Sequence, residues 1–229
     1  MTHTAVEEAL LRRRSVRAFT AAPVGRADLE RLCRAARSAP SGANLQPGMF
    51  HFLAGEALAG LKRALHEAIA AGAPAAAEYS YFPDPMPAEL KARQRAAGYA
   101  LYGALGIGRR DLEARRAQFH RNYDFFGAPV GVVVTIDRRM GAGCFMDLGM
   151  ALMAFQLAAV SMGYGATGIG ALASYGPTVH AHLGLPPEEL VVCGLAVGVP
   201  DAGDPVNGVR TAREEPDVYT RFRGFTPGS

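Results

Sequence analysis

Residues 144–165, CFMDLGMALMAFQLAAVSMGYG, are apolar on nearly every side of a helix, and they follow the β-branched run APVGVVVTID at 128–137. A helix that is hydrophobic all round is typical of a protein interior. The preceding run is typical of a buried strand, because valine and isoleucine suit a pleated backbone. We therefore expect a buried helix packed on a sheet to form the core of the fold.

Weaker patterns on both sides of this core predict the remaining elements. Apolar residues at spacings of three and four indicate helices, and short apolar runs bounded by glycine or proline indicate strands. The middle of the chain is polar and rich in arginine, and we interpret it as an excursion over the surface or over a site. The predicted helices span 4–13, 27–38, 57–72, 88–103 and 109–120, with another ending by Gly184; the predicted strands span 49–53, 165–170 and 189–199; and one domain covers 1–229, with an inserted lid at 73–127 and a C-terminal arm at 200–229.

Composition resembles that of ordinary globular proteins. The chain has 229 residues, of which 49% are hydrophobic and 20% charged, and a formal net charge of +3. These values argue against a disordered or fibrous chain. The 24 cationic residues are 22 arginines and 2 lysines, and arginine binds phosphate and carboxylate through two parallel hydrogen bonds. We find neither an export signal nor a membrane span and expect a cytoplasmic protein.

Metal and hydrolytic sites lack their usual motifs. The three cysteines, Cys33, Cys144 and Cys193, form no C-x-x-C pair, and two histidines at 180 and 182 are not a ligand set on their own. We therefore expect no metal.

The sequence GYGATGIG at 163–170 formally contains G-x-G-x-x-G. A helix precedes it and strand-like residues follow, which reverses the order that a dinucleotide-binding turn requires. We predict a glycine-rich turn from helix to strand at this point.

Two arginine clusters lie near opposite ends of the chain, in RRRSVR at 12–17 and NGVRTAR at 207–213. Arginines that converge with a hydroxyl group bind a phosphate dianion. An arginine run at a helix end is also typical of a solvated face that complements the helix dipole. The sequence leaves both interpretations open. It also leaves Asp147 open, either as a general base or as a carboxylate that caps or pairs within the fold.

Several motifs, taken in their order along the chain, resemble the FMN-dependent nitroreductase family. The middle segment, YFPDPMPAELKARQRAAGYALYGALGIGRRD at 81–111, is most similar to the nitrobenzoate and dinitroaniline reductase branch. The other motifs are RRRSVRAF at 12–19, APSGANLQPG at 39–48, FFGAPVGVVV at 125–134, DLGMALMAFQLAA at 147–159, GYGATGIGAL at 163–172, LVVCGLAVGVPD at 190–201 and PVNGVRTAREEPDVYTRFRGF at 205–225.

This resemblance implies an α+β nitroreductase-like sandwich, with a central mixed but mainly antiparallel sheet flanked by helices. It implies a homodimer with exchanged C-terminal arms and an FMN in each of two interface sites. The implied cofactor residues form three groups. Arg13, Arg14, Ser15, Arg17, Arg210 and Arg213 would hold the phosphate and the ring edge; Pro40, Ser41, Gly42 and Asn44 would line the ring from the other subunit; Ile169, Gly170 and Ala171 would run past the flavin.

The implied reaction alternates two half-reactions in one open site. NADPH or NADH delivers hydride to flavin N5, and a nitroaromatic, quinone or similar electron-poor acceptor then takes the electrons. Flavin N5 is the reactive atom, and a backbone N–H near Gly170 and Ala171 would donate to it. Ala43, Glu89 and Arg93 are the residues implied for the small aromatic substrate. The arginines of the middle segment suggest an anionic partner.

Three departures from the family pattern favour an alternative. Gly48 stands where the family commonly has tryptophan, Met153 or a residue near it stands where the family often has glutamine, and the turn after the central helix lacks the usual CPQ-like residues. A specialised flavoenzyme of the same family, performing ene reduction, dehydrogenation or reductive dehalogenation, would fit these differences. The SGA at 41–43 also resembles the iodotyrosine deiodinase branch, although Glu89 has no matching tyrosine or lysine beside it.

A third hypothesis is a flavin-free module whose basic lid binds nucleic acid. Aromatic side chains interleaved with arginines provide stacking platforms for bases, and the aromatic residues concerned are Tyr99, Tyr102, Phe119 and Tyr123. The nearly balanced net charge argues against it, and we expect no nucleic-acid partner.

Overall fold

A four-stranded antiparallel sheet forms the centre of the computed structural model, which describes residues 3–225. Its strands are β1 (Met49–Ala54), β2 (Val130–Asp137), β3 (Gly165–Ile169) and β4 (Glu189–Gly198), in the order β1-β2-β4-β3. Val134 and Cys193 are opposite each other in the β2–β4 register. All named strand pairs are antiparallel, and one isolated parallel bridge joins Ser15 to Ala166. The α+β prediction is confirmed.

Helices flank both faces of this sheet. The predicted bounds hold within a few residues, except that the central helix ends earlier than predicted. The eight helices of the described chain are α1 (Ala5–Arg12), α2 (Arg26–Arg37), α3 (Gly55–Ala70), α4 (Ala88–Ala104), α5 (Leu112–His120), α6 (Ala142–Ser161), α7 (Gly176–Leu183) and α8 (Pro216–Tyr219).

The central helix α6 is buried on one face instead of all round. Phe155 and Ala159 lie fully in the core, whereas Met146 and Met150 are 71% and 42% exposed. The expectation of burial on every side is wrong for the single chain, because α2 and the sheet cover one face and leave the opposite apolar face open. Helix α6 is long and apolar enough to cross a membrane, although the sequence analysis expected no membrane span. The core helix of a protein that does not enter a membrane can have the same length and composition.

The middle segment, residues 73–127, differs along its length. Helix α4 has no buried residue. The end of the segment, however, belongs to the core, since Tyr123, Phe125 and Phe126 are each at most 3% exposed. The interpretation of 73–127 as surface throughout is therefore wrong at its C-terminal end, where the aromatic residues pack beneath α3 and the sheet.

The C-terminal segment begins by packing on its own chain. A short 3-10 turn at Pro205–Gly208 buries Val206 and Asn207. Beyond it, Tyr219, Phe222 and Phe225 are exposed. Of the predicted arm, 226–229 lie outside the described residues.

Candidate functional site

The N-terminal arginine segment is attached to the sheet by backbone contacts. Ser15 bridges Ala166 on β3, and the Val16 N–H donates to the Ala166 carbonyl at 3.4 Å. Farther along, the Thr20 N–H donates to the carbonyl of Val199 at 2.9 Å. The segment that follows α1 therefore lies along the β3 edge with a defined register.

Asn207 joins this segment to the C-terminal segment. Its side-chain oxygen accepts the Arg17 N–H at 2.8 Å, and its amide nitrogen donates to the carbonyls of Ala18 and Asp201, both at 2.8 Å. Asn207 is only 3% exposed, and buried amides need such partners. The three hydrogen bonds bring residues 190 positions apart in sequence into one structural unit.

The two arginine clusters meet in a cavity of about 650 Å³ between these segments, which we call the arginine cavity. Arg210 donates to the carbonyl of Arg13 at 3.2 Å. Burial lowers the pKa of Arg13, and the nearby charges of Arg213 and Arg210 lower it further. The residues that line the cavity include Arg13, Arg14, Ser15, Arg17, Met153, Arg210 and Arg213.

These arginines have positive charge without a compensating carboxylate. Within residues 3–225, none of the five forms an ion pair with an aspartate or glutamate. The Nε of Arg14 is buried without a hydrogen-bond partner. Burial lowers the pKa of Arg17, whose guanidinium lies 6.0 Å from the centre of the Phe126 ring. Guanidinium groups bind anions, and the convergence of the two clusters on one cavity favours the phosphate interpretation over the solvated-face interpretation.

A second cavity, of about 560 Å³, lies beside the turn after β3, and we call it the aromatic cavity. Gly170 and Ala171 line it, and the Tyr81 ring packs over Gly170, where an added Cβ would lie 3.5 Å from the ring. Tyr81 and Phe82 meet edge to face with centroids 4.8 Å apart. The other lining side chains include Tyr79, Gln94, Phe119, Asn122 and Ser174. Aromatic walls with a few amide groups suit a flat, polar-substituted ring.

The base of the middle segment is fixed where it enters this cavity. The Tyr79 hydroxyl donates to the Val192 carbonyl at 2.6 Å, and burial raises the pKa of Tyr79 to about 12. Next to it, Glu78 pairs with Arg138. Tyr79 therefore remains a neutral hydrogen-bond donor and a structural anchor at physiological pH.

The loop 40–48 lies apart from both cavities within one chain. Pro40, Ser41, Gly42, Ala43 and Asn44 line neither of them. Four positions in the loop have positive φ: Ala43 at 49°, Asn44 at 57°, Gln46 at 49° and Gly48 at 94°. The left-handed backbone costs a non-glycine residue about 1–2 kcal/mol.

Two further sequence candidates lie outside the aromatic cavity. Arg93 forms an ion pair with Glu214 at 2.8 Å, and Glu89 is exposed in the first turn of α4. Gln94, which neighbours Arg93, lines the cavity instead. The helix turns by about 100° per residue, so adjacent positions face different directions.

Two of the aromatic rings that suggested base stacking have an arginine guanidinium over the ring. Arg109 lies 4.6 Å from the centre of the Tyr99 ring, and Arg115 lies 4.6 Å from that of Tyr102. Tyr123 is buried. These contacts hold α4 against the α5 region, whereas Tyr99 and Phe119 remain 43% and 50% exposed.

Several site residues were missed by sequence reasoning. The aromatic pair at 81–82, in a proline-rich loop, was a usable signal, because exposed rings in loops commonly mark binding surfaces. Gln94 and Asn122 had no local signal. Asn207 stood in the quoted motif NGVR, but its buried position depends on contacts with residues 17 and 18.

Comparison with known proteins agrees with this architecture. A model of the nitroreductase family matches residues 10–199. The chain belongs to the nitroreductase family. A 4-nitrobenzoate reductase of Pseudomonas putida is 34% identical to this nitroreductase over 213 residues, covering 93% of each chain.

Solved structures give the same result. The crystal structure of an FMN and NADPH-dependent nitroreductase, NfnB, from Sphigopyxis sp. strain HMH is 39% identical, with a TM-score of 0.93, covering 96% of this chain and 99% of that one. The FMN-dependent nitroreductase NfnB from Mycobacterium smegmatis, solved in complex with NADPH, is 29% identical, with a TM-score of 0.90, covering 96% and 98%. The family expected from the sequence is confirmed.

Proposed function

We propose that this nitroreductase is an FMN-dependent NAD(P)H oxidoreductase that reduces nitroaromatic, quinone or similar electron-poor rings. The observation that carries the proposal is the cavity in which five arginines converge without a carboxylate partner. The relatives named above, with their nitrobenzoate, FMN and NADPH descriptions, support the same assignment.

The chain's residues fit the FMN phosphate. Arg13, Arg210 and Arg213 would neutralise the dianion, and the Ser15 hydroxyl would donate a further hydrogen bond. The unpartnered Nε of Arg14 would gain an acceptor. Arg17 would lie at the ring edge, where a fixed positive charge favours electron uptake. In this assignment, Ile169, Gly170 and Ala171 would run past the ring.

When bound, FMN supplies a ring that accepts hydride from NAD(P)H and passes the electrons to the acceptor. The aromatic residues Tyr81 and Phe82 would flank and orient a flat acceptor in the aromatic cavity. The amides of Gln94 and Asn122 would donate hydrogen bonds to polar substituents. The described lining contains no carboxylate, histidine or cysteine, so we assign the proton supply to solvent.

A homodimer would complete the site. A second copy would bury two apolar surfaces: the uncovered face of α6, with Met146 and Met150, and the exposed aromatic residues after Tyr219. Loop residues 40–44 would then reach the ring of the partner's site, which explains why they are remote from both cavities within one chain. The middle segment 73–127 would form a lid. Within the predicted arm at 200–229, the start packs on its own chain, and the exposed part that begins near Tyr219 would be exchanged.

The charge of the lid suggests an anionic acceptor or donor. Residues 88–121 contain eight cationic and three anionic side chains. Lys91 and Arg116 each lie three positions before a residue that lines the aromatic cavity, Gln94 or Phe119, and residues at that spacing share a helix face. Positive charge at a cleft raises the local concentration of anions.

A spectroscopic experiment tests the core proposal. The purified protein should show flavin absorbance or gain it with added FMN, and NADPH should bleach it under anaerobic conditions within seconds. Turnover of 4-nitrobenzoate and a quinone should then follow. Failure to bind FMN refutes the proposal. Flavin reduction with poor turnover of both acceptors would favour the specialised flavoenzyme.

A charge experiment tests the anionic class. The double variant Lys91→Ala, Arg116→Ala should raise KM for 4-nitrobenzoate about threefold to tenfold at low salt, with a smaller effect at high salt. Nitrobenzene, which is neutral, should be unaffected. Arg34→Ala, an exposed arginine on α2, is the control. Equal effects on both acceptors would refute the anionic class.

We also propose a cytoplasmic location. Cys33, Cys144 and Cys193 are free thiols, which suits a reducing compartment. Fractionation with a cytoplasmic marker enzyme tests this.

A further inference from the structure

We infer that Asp147 is a positioning residue that holds the loop 40–48 in the conformation required at the flavin. This inference rests on the proposed function, in which residues 40–44 of that loop contact the ring. Asp147 lies on α6, and its Oδ2 accepts the Gly42 N–H at 3.0 Å. The contact joins positions that are 105 residues apart in sequence.

The loop needs such a contact because its backbone is intrinsically disfavoured. Ala43 and Gln46 both have φ near 49°. Asparagine tolerates this region, but alanine and glutamine rarely adopt it. Residues held in this way persist when surrounding contacts over-determine them, and such sites are concentrated at binding surfaces.

Two rigid helices provide the anchors. Arg37, the last residue of α2, donates to the carbonyls of Gln46, Pro47 and Gly48, the latter two at 3.2 and 2.8 Å. Asp147 holds the other end of the loop from α6, and α2 packs against α6. The loop therefore spans a fixed frame, with Arg37 at its exit and Asp147 near its entry.

The geometry favours positioning over proton transfer. Asp147 lines neither the arginine cavity nor the aromatic cavity. The carboxylate oxygen is already used as an acceptor for a backbone N–H. This interaction needs an acceptor oxygen at that place but no titrating group, so asparagine can replace aspartate in it.

A pair of variants separates the two roles. Asp147→Ala removes the acceptor and should raise the dissociation constant for FMN about fivefold, equivalent to about 1 kcal/mol. It should also alter the visible circular dichroism of bound FMN. Asp147→Asn keeps an acceptor oxygen and should remain within about twofold of the wild type in FMN affinity, kcat and pH profile.

A second anchor variant and a control complete the test. Arg37→Lys keeps the charge but loses the planar fork, and it should weaken FMN binding in the same direction as Asp147→Ala. Glu67→Ala removes an exposed carboxylate on α3 and should change nothing. Thermal melts of the apo proteins check that each variant folds.

The possible failures are distinguishable. If the wild type binds no FMN, the proposed function is wrong. If the wild type binds FMN and Asp147→Ala binds it equally well with an unchanged spectrum, the positioning role is wrong. If Asp147→Asn loses as much activity as Asp147→Ala, the carboxylate acts through its charge or proton, and the positioning role is again overturned.

Discussion

Replacing Asn207 with alanine should both destabilise the fold and weaken FMN binding. The Asn207 amide makes three hydrogen bonds of 2.8 Å to the backbone of Arg17, Ala18 and Asp201. Each such bond contributes about 1 kcal/mol, so the free energy of unfolding should fall by roughly 3 kcal/mol. In a chain of this length 1 kcal/mol corresponds to about 2–4 °C, so Tm should fall by about 6–12 °C.

The cofactor effect has the same cause. Asn207 holds the segment carrying Arg17 against the segment carrying Arg210, so its loss should loosen both halves of the arginine cavity. We expect the dissociation constant for FMN to rise about tenfold, or about 1.4 kcal/mol. Thermal unfolding followed by circular dichroism and a fluorescence titration with FMN measure the two effects.

Two matched variants sharpen the test. Asn207→Asp keeps the acceptor for the Arg17 N–H but places an oxygen where the amide nitrogen donated to two carbonyls, so it should destabilise at least as much as alanine. Ser38→Ala removes an exposed hydroxyl that donates to the Ala35 carbonyl, and it should cost no more than about 0.5 kcal/mol. If Asn207→Ala matches this control in Tm and in FMN affinity, the reasoning is refuted.

Three other predictions follow from single contacts. Gly48→Ala should lower the free energy of unfolding by about 2–4 kcal/mol, because the φ of 94° disfavours alanine and the new Cβ would lie 2.5 Å from Leu148 Cδ1. A thermal melt should show a lower Tm, and an unchanged Tm would contradict the prediction. Arg210→Ala should weaken FMN binding about tenfold to a hundredfold, because it removes a charged donor, and salt should reduce this difference. FMN titrations of both proteins at two ionic strengths test the prediction, and a difference that does not depend on salt would contradict it. Hydrogen bonds from Arg139 lower the pKa of Asp137 from its ordinary value of 3.8 to about 2. The resulting stabilisation is present above pH 3.8 and is lost as the pH falls through 2. When stability is measured against pH, Asp137→Asn should therefore lose less stability than the wild type between pH 3.8 and 2.

Local patterns predicted most of the elements, because helix and strand periodicity is written in neighbouring residues. The end of α6 was placed at Gly165, four residues too far, since apolar residues continue through the turn at Gly163, whose φ is 82°. The polar stretch before residue 121 also hid the buried Phe125 and Phe126, which belong to the core. Both errors arise where tertiary contacts override composition.

The site was less predictable than the fold. The two arginine clusters were visible, but their convergence depends on the Ser15–Ala166 bridge and on Asn207, which are long-range contacts. Glu89 and Arg93 were chosen from the correct helix, yet Gln94 faces the cavity. The orientation of α4 cannot be read from its sequence, because its alanines, leucines and tyrosines form no distinct apolar stripe that would fix one face toward the core.

The hydrogen bond between Arg17 and Asn207 also determines when the arginine cavity can form during synthesis of the chain. All four strands leave the ribosome before residues 207–213 do, so the sheet can pair while half of the arginine cavity has yet to be made. Closing so long a chain loop gains nothing until the C-terminal segment docks. Cofactor capture is therefore a late step, and a chain truncated before residue 205 should retain its sheet and lose its flavin.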